Sequence, residues 1–375
     1  MNERGKVAPN RTLRLILLMA FLAVLIAAGI SLFKDISQGR HDDDMDGRAR
    51  VVGAGASFPA PLYERWFKEL YSRDQKYQVD YQSVGSAAGI TNFLQGRVDF
   101  AGSDYPLEDA STARLDGGVL QLPMAAGAIV FIYNLEGVAE LKLSRDVLAK
   151  ILLGEIRRWN DPQVQKNNPE ADLPDQKITL VARAEASGTT LHMSRHIEAY
   201  SKSFAERIGA SKDPQWPSEL KESGSLIRAR GNAGIARMVG SVPGAIGYVQ
   251  YAYAENSKLP MALLENRAGN MVAPGPASFQ SALVSFEGRL TRQNIADPEG
   301  VNGYPIISFS WLIMRKSYRN PDVYPVMSAM IHYGLGEGQE VVEEMGYIPF
   351  PESGRRKLLE YFDSRGASGP LPQPQ

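Results

Sequence analysis

No cysteine occurs in the 375 residues. That absence excludes disulfides, thiolate metal sites and thiol nucleophiles, and it excludes attachment to a membrane through a lipidated cysteine. An excess of either charge is also missing: 41 Lys and Arg face 42 Asp and Glu, for a net charge of −1. A chain so balanced has no global basic field for nucleic acid. Familiar catalytic and nucleotide motifs are absent too. No G-x-x-x-x-G-K-[ST] run is present, so there is no P-loop. Gly53-Ala-Gly55 is followed by Phe58 where a dinucleotide fingerprint needs its third glycine. Ser187 lacks a G-x-S-x-G elbow, because Glu185 holds the first glycine position. Neither an activated nucleophile nor a metal pair is visible, which counts against a phosphatase. The pattern predicts no enzyme, no cofactor and no metal.

Hydrophobic residues make up 44% of the chain, enough for the cores of two ordinary domains once an N-terminal segment is set aside. In that segment Arg4, Lys6, Arg11 and Arg14 lead into an apolar run, Leu15 to Phe33, closed by Lys34 and Asp35. A basic start and an apolar run read as an export signal. Its length is nearer the roughly 20 residues of a spanning helix than the roughly 7–15 of a cleaved signal, and Ala27, Ala28 and Gly29 make a poor cleavage site. The reading is a cytoplasmic basic segment over 1–14, a signal anchor or cleaved signal peptide over 15–33, and an acidic linker over 34–49 that carries Asp42, Asp43, Asp44 and Asp46. The basic end stays in the cytoplasm, so the remainder lies outside, at the periplasmic or extracellular face of the cytoplasmic membrane.

From Val51 onward short strands, small-residue turns and helical patterns alternate, which predicts an α/β architecture. Leu62, Trp66 and Leu70 mark one helix face; Ala128 to Tyr133 and Ile306 to Met314 read as buried strands. The Gly- and Pro-rich residues 366–375 read as a disordered tail.

Three places share one design. Ser57, Ser86 and Ser187 each lie beside glycine or alanine and each opens a predicted helix. Helix starts expose unpaired N–H groups and partial positive charge. Glycine and alanine let the backbone come close to a ligand. Each site alone is equally an ordinary N-cap; three converging starts would make an anion site. Arg183, four residues before Ser187, would add a fixed cationic fork. His192 and His196 stand i, i+4 on a predicted helix, but Met193 stands where a zincin needs Glu. They read as partly exposed helix residues rather than metal ligands. Tyr248, Tyr251 and Tyr253 read as packing along a hinge seam.

The motifs Gly53-Ala-Gly-Ala-Ser-Phe-Pro-Ala-Pro61, Gly85-Ser-Ala-Ala-Gly89, Val98-Asp-Phe-Ala-Gly-Ser-Asp104, Leu153-Gly-Glu-Ile-Arg-Arg-Trp-Asn160, Arg183-Ala-Glu-Ala-Ser-Gly-Thr189 and Pro243-Gly-Ala-Ile-Gly-Tyr248 occur in that order. In this the chain resembles the phosphate-binding proteins of the Pst-type ABC transporter, from about Val51 to Phe362. The resemblance implies a type II periplasmic-binding fold: two α/β lobes, a two-strand hinge and a ligand cleft between them. Lobe one would hold residues 50–124 and 254–365, and lobe two 125–253, with crossings near Met124 and Tyr253. Carried over by position, the phosphate contacts would be Ser57, Phe58, Ser86, Asp104, Arg183, Ser187, Gly188 and Thr189, with Glu185 orienting Arg183. Glu185 stands where Asp is common, Ala87-Ala88 replaces smaller or hydroxylated residues, and Ala233 replaces a usual Asp. The implied partners are inorganic phosphate and a membrane permease, with no nucleic acid, for a monomer held to the membrane by its N-terminal helix. A tethered phosphate sensor or scavenger, or a sulfate- or molybdate-type oxyanion binder, are the alternatives.

An uncleaved Leu15–Phe33 run makes the full-length protein sediment with membranes, and deleting residues 1–48 releases it into the soluble fraction. N-terminal sequencing of the purified protein checks this: a mature chain starting near Gly29 means a cleaved signal instead.

Overall fold

The computed structural model describes residues 50–107, 115, 118–284 and 296–365. The expected N-terminal segments over 1–49 and the tail over 366–375 lie outside the described residues. Among the described residues no helix is long and apolar enough to cross a membrane.

The first elements are β1 (Arg50–Gly55), α1 (Ala60–Arg73), β2 (Gln78–Ser83), α2 (Ser86–Leu94) and β3 (Phe100–Ser103). Strand β1 lies between β2 and β3, parallel to both. In α1 the residues Leu62, Tyr63, Trp66, Phe67 and Leu70 recur at the helical period and are buried, while Pro61 occupies the first turn, where no N–H is needed. Trp66 Nε1–H donates to the Gly338 carbonyl at 2.8 Å, so even this wholly buried indole is satisfied.

β4 (Val119–Tyr133) follows. It is buried at every position from Leu122 on, as its unbroken apolar sequence requires. Then come β5 (Lys142–Leu143), α3 (Arg145–Leu152), α4 (Pro162–Asn167), β6 (Thr179–Arg183), α5 (Gly188–Glu198), α6 (Lys202–Arg207), α7 (Ser218–Glu222), β7 (Leu226–Ala229), α8 (Gly231–Ser241) and β8 (Ala245–Gln250). The last elements are α9 (Tyr251–Asn256), β9 (Leu263–Glu265), β10 (Met271–Val272), α10 (Pro276–Val284), β11 (Ile307–Arg315), α11 (Val323–Leu335) and α12 (Glu352–Arg365).

The large sheet has the order β2-β1-β3-β11-β4-β8-β6-β7. β4 joins its two halves. Residues Val119–Ala128 pair antiparallel with β11, and Ile129–Tyr133 pair antiparallel with β8. The β4–β11 register slips between Ser310 and Trp311, which stand opposite Ala125 and Pro123; Met124 is therefore the extra, bulged residue. The second half continues with β6 parallel to β8 and β7. A separate small sheet, β10-β9-β5, places β9 parallel to β5, and Ala262 N–H donates to the Phe131 carbonyl at 2.8 Å. Residues 262–272 thus pack against the second half.

Two expectations are corrected. Ser57 does not open a helix; it lies three residues before α1, whose cap position is Pro59 without a side-chain cap bond. His192 and His196 are not partly exposed. Both are buried, because α5 is enclosed along most of its length.

Burial holds both imidazoles neutral, pushing His192 down to about 4 and His196 to about 3. Between these values and the free value near 6.5 the unfolded chain binds more protons than the folded one. Stability is therefore full above about pH 6.5 and lost as pH falls through the range. His196→Gln flattens that acid slope of the melting temperature relative to wild type; an unchanged slope would mean His196 does not titrate on unfolding.

Candidate functional site

The expected site residues meet beyond the carboxyl ends of parallel strands. From the first half come Ser57 after β1, Ser86 at the first position of α2, and Asp104 directly after β3. From the second half come Arg183 at the end of β6, then Ser187, Gly188 and Thr189 at the start of α5. Strand ends opening onto helix starts are where open α/β sheets place ligands.

Ser187 caps α5, its Oγ accepting from the Thr190 N–H at 3.3 Å. Gly85 precedes α2 with φ +95, a left-handed conformation that costs glycine nothing. Ser86 Oγ accepts from the Asp104 N–H at 3.3 Å. Gly188 comes so close to Asp104 that an added Cβ would lie 2.3 Å from the aspartate Cβ. Glycine is therefore the residue that lets α5 point its N-terminus at this carboxyl group.

Three tyrosines fix the backbone around Ser57. Tyr81 donates to the Ala56 carbonyl at 2.8 Å, Tyr253 to the Ser57 carbonyl at 2.6 Å and Tyr347 to the Phe58 carbonyl at 2.6 Å. In a planar trans peptide the N–H points opposite the carbonyl. Holding the carbonyls of residues 56 and 57 on one side turns the Ser57 and Phe58 N–H groups to the other.

The charges are out of water. Arg183 is 3% exposed and Asp104 2%. Arg183 Nε donates to Glu185 Oε1 at 2.8 Å, and a second guanidinium nitrogen reaches the same oxygen. Arg183 also lies 3.5 Å from Thr189 Oγ1. Glu185 Oε1 takes a further N–H from Gly231 at 3.0 Å, tying the arginine to the start of α8. Asp104 Oδ1 accepts from Ser310 Oγ at 2.9 Å. Burial pushes the Asp104 carboxyl up to about 7; Ser310, the Arg183 charge and Thr189 pull it back only in part. As a carboxylate it accepts an O–H that a ligand brings, and it disfavours a bare anion.

Sequence reasoning missed four contributors. Asn232 donates to Ser57 Oγ from its N–H at 3.2 Å and its side chain at 3.0 Å, linking the halves. Its signal was present, in a glycine that opens a helix just after a strand. Ser310 is one of two serines, with Ser308, in a strand that is otherwise apolar up to Met314. Tyr81 and Tyr347 carry no local signal at all. Among the described residues no group of three or more His, Cys, Asp or Glu is placed to hold a metal ion.

A family model described as a PBP superfamily domain matches residues 43–336. The phosphate-binding protein PstS of Pasteurella multocida is 34% identical over 313 residues, covering 82% of this chain and 88% of the relative. PstS of Haemophilus influenzae is 33% identical, covering 80% and 89%. PstS of Methanocaldococcus jannaschii is 30% identical, covering 94% and 96%. The chain belongs to the PstS family. Its PBP-like fold is shared with solved structures of much lower identity. A periplasmic phosphate-binding protein named PfluDING, solved with phosphate, is 20% identical with a TM-score of 0.66, covering 83% of this chain and 93% of its own. The phosphate-binding protein of Stenotrophomonas maltophilia is 19% identical with a TM-score of 0.64 and the same coverages. Four of the six motifs that resembled the PstS family in sequence, those holding Ser57, Ser86, Asp104 and Arg183–Thr189, contribute the residues that meet here.

The raised Asp104 carboxyl sets a pH dependence. Between about 4, the ordinary Asp value, and about 7, its folded value, the folded state binds more protons than the unfolded chain. This residue's contribution to stability therefore increases as pH falls through that window. Asp104→Asn keeps the shape and removes the titration. Without added ligand, its melting-temperature advantage over wild type shrinks on going from about pH 8 to about pH 5. A difference independent of pH would place the titration of Asp104 elsewhere.

Proposed function

We propose that this chain binds inorganic phosphate outside the cytoplasm and delivers it to the membrane permease of an ABC-type import system. The observation that carries the reading is the pairing of a buried Asp104 with a buried Arg183 and with the amide-rich starts of two helices. Hydrogen phosphate fits such a mixed site. Its charge suits the guanidinium and the helix N-termini. Its O–H can donate to the Asp104 carboxylate, which sulfate cannot do. The PstS relatives support the same ligand class through their names.

The proposed contacts are Ser57 (hydroxyl and N–H), the Phe58 N–H, Ser86, Asp104, Arg183, Ser187, the Gly188 N–H and Thr189. Glu185 holds Arg183 in place. No covalent chemistry takes place; the protein captures and releases. We divide the fold into two lobes that close on the ligand, with β4 and β11 as the crossing strands. The pairing of β9 with β5 favours counting residues 262–272 with lobe two, although the sequence had set 254–365 together in lobe one. The Leu15–Phe33 run would tether the receptor to the outer face of the membrane.

Titration calorimetry of wild type against phosphate, arsenate and sulfate tests the ligand. Phosphate and arsenate bind, and sulfate does not compete. Arg183→Ala leaves a desolvated ligand charge without its partner, a loss of about 3–5 kcal/mol, so phosphate affinity drops more than a hundredfold. An Arg183→Ala dissociation constant equal to that of wild type would remove this residue from the site. Asp104→Asn brings sulfate into the measurable range, because the rejecting carboxylate is gone. Equal sulfate and phosphate affinity in wild type would refute the role given to Asp104.

A further inference from the structure

His192 lies on α5, one turn beyond Gly188. Its Nε2 stands 2.5 Å from the main-chain carbonyl oxygen of Asp104, a residue of the other half of the sheet. A carbonyl oxygen only accepts, so Nε2 carries the hydrogen and His192 is the donor. The neutral ring then has a bare Nδ1. This atom is buried, and no hydrogen-bond partner is found for it among the described residues. Burying an unmatched acceptor is costly. Leucine or methionine would fill the same space on α5 without that cost. What histidine adds is the hydrogen bond across the seam.

The contact belongs to a grip on one short segment. The N-terminus of α5 faces the Asp104 carboxyl through Gly188 and Thr189. His192 takes the carbonyl of the same residue. The next residue, Tyr105, lies under the Lys212 ammonium, 3.8 Å from the ring centroid. Lys212 is in turn joined to the start of α5, since its carbonyl accepts from the Ser187 N–H at 2.9 Å. All of these contacts are direct, from one protein group to another.

We propose that His192 is a positioning residue, a latch that holds the Asp104 main chain across the cleft and favours the closed arrangement before any ligand arrives. It sets affinity by lowering the cost of closing rather than by touching the ligand. Only the affinity half of this inference rests on the phosphate reading.

His192→Gln and His192→Met test it. Both side chains are unbranched and tolerated in helices, and only glutamine can donate to the Asp104 carbonyl. Spin labels at Leu94→Cys and Glu222→Cys, exposed positions on the two halves of a chain with no cysteine of its own, report the separation of the halves without ligand. The Met variant shifts toward longer distances and binds phosphate about tenfold more weakly, through faster release. The Gln variant stays within about threefold of wild type. Gln and Met variants that behave alike, both intact or both impaired, would overturn the latch, because the donor would then make no difference. Wild type that fails to bind phosphate would defeat the ligand assignment instead, and the ligand-free distances would still decide the role of His192.

Discussion

A guanidinium taken out of water must be answered by oxygen, and this requirement organises the centre of the molecule. Arg183 is buried at the end of β6, and Glu185 answers it from two residues away. The same carboxylate oxygen also takes the Gly231 N–H, so one atom fixes the arginine and the start of α8 together. The guanidinium is left facing Thr189 and, through its charge, Asp104. Burying the Asp104 carboxyl beside an arginine already paired with half-buried Glu185 is eased because the neighbours are donors. Those donors are serine and threonine hydroxyls and main-chain N–H groups, all of them uncharged.

Such donors are useful only when they are held still. The carbonyl-to-tyrosine bonds around Ala56, Ser57 and Phe58 do this for the first half, with hydroxyls from β2, α9 and the segment before α12. On the other side Ser187 caps α5, and its N–H is tied to Lys212. The amide-rich cradle is therefore rigid on both sides. Contacts across the seam between the halves include Asn232 with Ser57, Tyr253 with the Ser57 carbonyl, Gln250 with the Gly346 carbonyl, α5 with Asp104, and Lys212 with Tyr105. Rigid cradles that meet along a seam of polar contacts suit a receptor that must both grip and release.

Much of this was legible in the sequence. The α/β alternation follows from local periodicity, and Ser86, Ser187 and Arg183 stand out because small residues, a hydroxyl and a charge cluster within a few positions. What was not legible depends on distant partners. Ser310 matters because β11 lies beside β3, which brings it to an aspartate 206 positions away. Tyr347 is silent until the fold sets it against Phe58. The helical period of α5 marks an apolar face, but burial on its other sides comes from elements far along the chain, so the two histidines looked more exposed than they are. The small sheet escaped notice because β5 and β10 are only two residues long and show no alternation.

The position of β11 has a consequence for how the molecule is made. The second half of the large sheet is built from Ile129 to Gln250, a single stretch of chain that can assemble as soon as it has been synthesised. The first half begins with β1, yet β3 and β4 reach each other only through β11, which ends at Arg315. The part of the protein made first is thus completed last, and its parallel strands wait with an open edge while more than half the chain is added. Pairing at such long range is slow and exposes strand edges to wrong partners. The interval before β11 arrives is when this chain most needs protection from aggregation.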